Sequence, residues 1–219
     1  MYIVAIDFSL NSPGIVILTP NKGIKFISYI KENIGTKAET RMQEELAQVS
    51  GMDLVVQPAF KTSKEFSDKE ILKIKRFVTM TESMITLIKK HVKAEDHVIF
   101  AFEGVSYGSG GGGTNNLIDL AAAAAIFKYR LTKDFINVNN NILTVAPTTI
   151  KKHAGNGKLK KRELWDIFCE NQLEDPALAK NDVWAFAKGL EVGAKVPKPF
   201  DDLVDAYFLA SYLQSILLP

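Results

Sequence analysis

Apolar residues come first in short, nearly unbroken runs and later at helical spacing. Residues 2–7 are apolar and rich in β-branched types, which predicts a buried strand. Ser9 to Gly14, containing Asn11, Ser12 and Pro13, predicts a turn, and Ile15 to Thr19 a second strand. Pro20-Asn21-Lys22-Gly23 is a hairpin signal. It leads into a third strand, Ile24 to Ile30, whose partial alternation places it toward the sheet edge. Residues 31–62 mix charge, glycine and short apolar pieces and yield no element. Ser67 and Glu70 have capping-box spacing. After them Ile71, Ile74, Val78, Ile85 and Ile88 mark one face of a long helix ending near Lys93. Val98 to Glu103 is apolar on both faces, as a central strand is.

The second half is helical. Gly104 to Thr114 is a loop that contains Gly108-Ser109-Gly110-Gly111-Gly112-Gly113. No Lys-Ser/Thr pair follows, as a phosphate-cradling P-loop requires, so the tract reads as a mobile, substrate-facing loop. Asn115 to Arg130 predicts a helix with Leu117, Leu120, Ala121 and Ala124 on one face. Its run Ala121 to Ala125 lets a partner helix approach closely, within the chain or across a dimer. Ile142 to Ala146 is a fifth strand closed by Pro147. Thr148 to Ala154 and Lys161 to Asn171 are short helices. Residues 172–200 are irregular, with helical potential at Asp182 to Leu190, and Asp201 to Leu217 is a closing helix. Three antiparallel strands, helix, strand, helix, strand and helices predict one α/β domain over residues 1–219. The expected fold is ribonuclease H-like, a mixed five-stranded sheet flanked by helices.

Composition sets limits. A chain of 219 residues can bury a full core as one domain. A net charge of +2 is too small to argue for a nucleic-acid partner, so local clustering has to carry that question. The lone Cys169 excludes an intrachain disulfide framework and fits a reducing compartment. Leu164, Trp165 and Phe168 surround it at helical spacing, which predicts packing rather than reactivity. The opening apolar run has no basic segment before it and meets Asp7 at once, unlike a secretory signal. Ala121 to Phe127 is too short to span a bilayer. The expectation is a cytoplasmic protein without a membrane partner.

Chemistry enters through four carboxylates at the edges of the apolar elements. Asp7 ends the first run, Glu103 ends the fourth strand, and Asp202 and Asp205 open the last helix. Asp202 and Asp205 stand three apart, so they share a helix face, while Asp201 is rotated roughly 100° away. Each has a bland reading: a strand-end turn residue for Asp7, and a favourable helix macrodipole for the late acids. Glu103 resists one, because glutamate is depleted in central strands. Gathered together, such acids repel and raise one another's pKa, which two Mg²⁺ or Mn²⁺ ions relieve. Paired ions roughly 4 Å apart can hold the attacking and leaving oxygens of a phosphoryl displacement, with Asp7 bridging them. His91 and His97 flank a helix–strand turn as ordinary surface residues, and no His/Cys cluster has zinc spacing.

A basic segment supplies the polyanion partner. Lys151, Lys152, Lys158, Lys160, Lys161 and Arg162 crowd ahead of a helix start, where the macrodipole disfavours cations. They flank Gly155-x-Gly157, where bare backbone amides can approach phosphate. Solvated surface is the usual meaning of a lysine run, but this placement suits a DNA backbone. The residues together point to metal-dependent cleavage of nucleic acid.

The chain resembles the RuvC-type Holliday junction resolvases over most of its length. Asp7 with Gly14, Phe102-Glu103-x-Val105, Pro147-x-x-x-Lys151 with Gly155-x-Gly157-x-x-x-Lys161, and Asp202-x-x-Asp205-Ala206 look like the family's four motifs in order. The resemblance implies a homodimer that places two active sites on a four-way junction. Each site would nick one strand and leave 5′-phosphate and 3′-hydroxyl ends, with Lys151 and Lys161 near the scissile phosphate. It implies Asp7, Glu103, Asp202 and Asp205 as catalytic metal ligands and Lys161 as a catalytic cation. DNA contacts would fall to Lys151, Lys152, Gly155, Gly157, Lys158, Lys160 and Tyr107. The departures bear on selectivity rather than chemistry. Ser9 stands where the family has glycine, the Lys151–Gly155 spacing is one residue short, and Ser106 replaces an aromatic wedge for which Tyr107 substitutes. The glycine tract and residues 31–62 and 172–200 look like additions. The pattern is that of a divergent, phage-encoded member working in host cytoplasm. Competing readings are a broader flap or branched-DNA nuclease, a ribonuclease H, and a non-catalytic DNA-binding module. An actin-like ATPase is disfavoured, since Asp7-Phe8-Ser9-Leu10 lacks the glycine that its phosphate loop needs, and no nucleotide cofactor is expected.

Overall fold

Strands β1 (Tyr2–Asp7), β2 (Gly14–Leu18) and β3 (Ile24–Lys31) form the expected antiparallel meander. The structure is a computed structural model describing residues 1–32, 36–57, 63–104, 114–135, 141–193 and 195–218. Strand β4 (Met52–Gln57) runs parallel to β3, β5 (Val98–Glu103) parallel to β1, and β6 (Ile142–Val145) parallel to β5. The sheet order is β4-β3-β2-β1-β5-β6. The helices are α1 (Lys37–Leu46), α2 (Phe66–Lys89), α3 (Thr114–Asp134), α4 (Pro147–Ala154), α5 (Lys161–Glu170), α6 (Asp182–Lys188) and α7 (Phe200–Leu217).

The sheet has six strands rather than five. The extra one, β4, lies in the stretch that yielded no element, and it moves β3 from the edge to the interior. Its Asp53 pairs with Lys90 at 3.1 Å and with His91 at 2.5 Å, so His91 is a half-covered partner rather than a bystander. Helix α1 was equally hidden. It begins with a true capping box, Thr36 Oγ1 accepting from the Glu39 amide and Glu39 Oε2 from the Thr36 amide.

Two layers of helix cover the sheet, sorted by strand alternation. Val4, Ile6, Ile15, Ile17, Phe100 and Phe102 point toward α2 and α3. Ile3, Ala5, Val16 and Ala101 point toward α5 and α7. Helix α7 lies against β1, β2 and β5 and is apolar nearly all round, as a helix enclosed by core must be. Cys169 is half-buried against this layer, its thiol pushed up to about 11 by burial and then by Asp166, as expected of a packing residue.

The helix faces differ from expectation. Helix α2 buries Phe77, Met80, Thr81, Met84, Ile85 and Ile88, while Ile71, Ile74 and Val78 stand exposed. Its first residue is Phe66, with no side-chain cap, so the Ser67/Glu70 box does not form. Helix α3 turns Ala123, Phe127 and Leu131 inward and leaves Ala121 exposed. Helix α3 as a whole packs against α2 of the same chain. Among the described residues no helix is long and apolar enough to cross a membrane. The glycine tract, Ser106 and Tyr107 lie outside the described residues.

Candidate active site

β1 and β5 are parallel neighbours with Ile6 beside Phe102, so Asp7 and Glu103 leave the sheet side by side at the same end. Alternation turns both toward the α7 layer, on the side of Ala5 and Ala101. Helix α7 starts there. Gly14 of β2 lets it come close: a Cβ on Gly14 would lie 2.4 Å from the backbone C and O of Asp202. Asp7 and Gly14 face each other across β1 and β2, so this contact fixes the helix start directly beside Asp7.

Asp7, Glu103 and Asp205 each offer a carboxylate oxygen within 4.8 Å of the others. All three are pushed upward in pKa. Asp7 is raised well above the usual range by burial, then by Asp202, Glu103 and Asp205. Glu103 is raised to about 7 by burial and then by Asp205, against the pull of Lys161 and Lys151. Burial also raises Asp205, although Lys161 opposes it. Three mutually repelling oxygens at this separation, on one buried and two partly buried side chains, fit a hard divalent cation, whose charge removes the repulsion.

Asp202 has a different environment, although it shares the Asp205 face as expected. Its Oδ2 accepts from Ser12 Oγ at 2.6 Å, Ser9 Oγ at 3.1 Å and Lys198 Nζ at 2.6 Å. Burial alone would raise its pKa, but Lys198, Lys161 and the Ser12 hydroxyl outweigh it and hold Asp202 below the usual value. Asp201 turns to Lys198 at 2.7 Å and accepts from the Asp202 amide at 3.0 Å. Lys161 reaches in from the first position of α5, 3.3 Å from Asp202, 3.2 Å from Asp205 and 3.6 Å from Asp201. Asp205 and then Asp202 hold it firmly protonated against its burial.

The basic segment lies beside this cluster. Lys151 on α4 is near enough to act on Glu103. Lys152, Lys158 and Lys160 are exposed. Gly155 ends α4 with φ +144, a value that L side chains avoid, and its amide donates to Lys152 O at 3.2 Å. That amide is therefore engaged inside the turn rather than bare. A Cβ on Gly157 would sit 3.1 Å from Lys152 Cγ, so this glycine also serves the turn.

Several residues around the site escaped sequence reading. Ser9 was visible only as a missing glycine, yet its hydroxyl reaches Asp202. Lys198 lies four residues before Asp202, a spacing that could have flagged it. Arg76 of α2 holds the loop behind Asp7, donating to Leu10 O and, at 2.8 Å, to Asn11 Oδ1. Nothing in the sequence pairs position 76 with that loop.

No family model matches the chain, and no curated protein matches it by sequence. Solved structures do. The T. thermophilus RuvC in complex with a Holliday junction substrate has a TM-score of 0.51 at 10% identity, covering 99% of this chain and 96% of that one. The yeast mitochondrial Holliday junction resolvase has a TM-score of 0.43 at 16% identity, covering 96% and 76%. The first likeness shows the fold: this chain has the ribonuclease H-like fold of RuvC, with helices on both faces of a mixed sheet.

Proposed function

We propose that the chain is a metal-dependent endonuclease that resolves four-way DNA junctions by paired nicks. The observation that carries this is the convergence of Asp7, Glu103 and Asp205, ligand oxygens within 4.8 Å, with the Lys161 ammonium 3.2 Å from Asp205. A RuvC-like fold, whose T. thermophilus counterpart is seen with a Holliday junction, supports branched DNA as the substrate.

The three carboxylates would hold Mg²⁺ or Mn²⁺. When bound, such an ion supplies an activated water and a counter-charge for the leaving 3′-oxygen, giving 5′-phosphate ends. Asp7 and Glu103 ride on adjacent strands, so the sheet fixes their spacing before any ligand arrives. Lys161 is half-exposed and its shortest contact, 3.2 Å, is with Asp205, which the ion would neutralise, so it could turn toward a scissile phosphate. Lys151, Lys152, Lys158 and Lys160 continue that charge outward along α4 and into the start of α5, where a DNA backbone would lie. Gly155 and Gly157 shape the turn that presents them. A second copy of the chain would bring the second active site. The exposed stripe Ile71, Ile74 and Val78 on α2, with Phe66 nearby, is the face we assign to that contact.

The test is cleavage of synthetic four-way, three-way, flap and linear DNA with Mg²⁺, Mn²⁺ or chelator. Preferential, ion-dependent cutting of the four-way junction is expected. Asp7→Asn should lose cutting by at least about a thousandfold while still binding the junction, since charge stabilisation of this kind accounts for rate factors of that order. Ion-independent cutting, or loss of binding in Asp7→Asn, would refute the assignment.

A further inference from the structure

Five carboxylates crowd this end of the sheet, and among the described residues the three that share a common space are Asp7, Glu103 and Asp205. Asp201 and Asp202 lie instead under one ammonium. Lys198 Nζ sits 2.7 Å from Asp201 Oδ2 and 2.6 Å from Asp202 Oδ2, with a side chain only 25% exposed. Its backbone is held as well. Gln43 of α1, itself 5% exposed, donates Nε2 to the Lys198 carbonyl at 3.1 Å. Asp202 Oδ2 also accepts from Ser12 and Ser9, at 2.6 and 3.1 Å. Oδ2 already takes three donors, which leaves it no lone pair for an ion, so Oδ1, 3.3 Å from Lys161, is the Asp202 oxygen that an ion could still reach.

Lys161 is different. Its side chain is 50% exposed and its contacts are 3.2 to 3.6 Å long, so it can leave when an ion arrives. Lys198 cannot leave cheaply, because breaking a buried pair strands both charges. A second divalent ion at Asp201 and Asp202 would meet this fixed positive charge at close range in a medium less screening than water.

We propose that Lys198 is a built-in cation standing in for one of the two ions expected from the acid cluster. The chain then takes one divalent ion, held by Asp7, Glu103 and Asp205. This rests on the ion-site reading above. Asp201 and Asp202 become positioning residues: they seat Lys198 and tie the Ser9–Ser12 loop against α7. Two of the three stretches read as additions acquire a role, since α1 supplies Gln43 and the segment before α7 supplies Lys198.

Mn²⁺ titration of the full chain, followed by loss of the free-ion EPR signal and by calorimetry, decides the matter. One equivalent is expected for the unmodified chain, none for Asp205→Asn, and two for Lys198→Met, where the acids are released. Two equivalents on the unmodified chain overturn the proposal, as does a folded Lys198→Met chain that still takes one. If circular dichroism shows Lys198→Met unfolded, the count on the unmodified chain stands as the test. Two equivalents that both disappear in Asp7→Asn would sink this inference alone. No saturable Mn²⁺ uptake, or uptake indifferent to Asp7→Asn, would sink the ion-site reading with it.

Discussion

Glu103 has a carboxyl raised to about 7 by burial and by Asp205, far above its unfolded value near 4.5. Between those two pH values the folded chain holds a proton that the unfolded chain has released. Stability without a divalent ion therefore falls as pH rises from about 4.5 to 7, by on the order of 3 kcal/mol if Glu103 acts alone. Asp7 and Asp205 shift in the same direction and add to the slope. Saturating Mn²⁺ should abolish this decline between about pH 4.5 and 7, because the ion holds Glu103 ionised in the folded chain as it is in the unfolded one. Thermal melts from pH 5 to 8, with chelator and with Mn²⁺, check both effects; a chelator curve that rises with pH would contradict the assigned shifts. The acids themselves were legible in the sequence as carboxylates at the edges of apolar elements, Glu103 most plainly, because glutamate is depleted in central strands. The separate status of Asp202 was not. Its partners Ser9, Ser12 and Lys198 come from two distant segments, and only the folded backbone brings them together.

Among the elements, α7 and β2 depend on each other through Gly14. That glycine is needed for space, not for a special backbone angle: a methyl there would overlap the Asp202 carbonyl. Gly14→Ala should cost about 1–3 kcal/mol, the usual penalty of overpacking, and should displace Asp202 and Asp205 together. Denaturant unfolding checks the first effect and loss of Mn²⁺ uptake the second; an unchanged midpoint would mean that α7 can slide at no cost. Strands with unbroken apolar runs were readable in advance. Helix α1 was not, because it gives the core little beyond Leu46 and the polar Gln43. Strand β4 was obscured by Asp53 and Gln57 at positions that the fold covers from α2 and its own edge. The α2 face was misjudged because isoleucines at helical spacing do mark an apolar stripe, but the first part of that stripe faces outward.

On the scale of the whole molecule, that outward stripe is the face proposed for contact with a second copy. Ile71, Ile74 and Val78 are each more than two-fifths exposed, and the Lys73–Asp119 ion pair at 3.0 Å brings the start of α3, with exposed Ile118, alongside. A stripe of this kind left in water is a standing liability unless a partner covers it. Light scattering should find the chain dimeric at micromolar concentration, and Ile74→Glu should make it monomeric with its melting temperature nearly unchanged. On a four-way junction the monomer should give single nicks in place of paired ones. A monomeric unmodified chain would remove the stripe from this role.

Asp7 belongs to β1 and Asp205 to α7, some two hundred residues apart along the chain. A nascent chain in which α7 has not yet been made and docked lacks the third carboxylate, whatever part of its sheet has formed. The proposed ion site is thus a late product of folding, and a fragment without α7 would have no place to hold the ion.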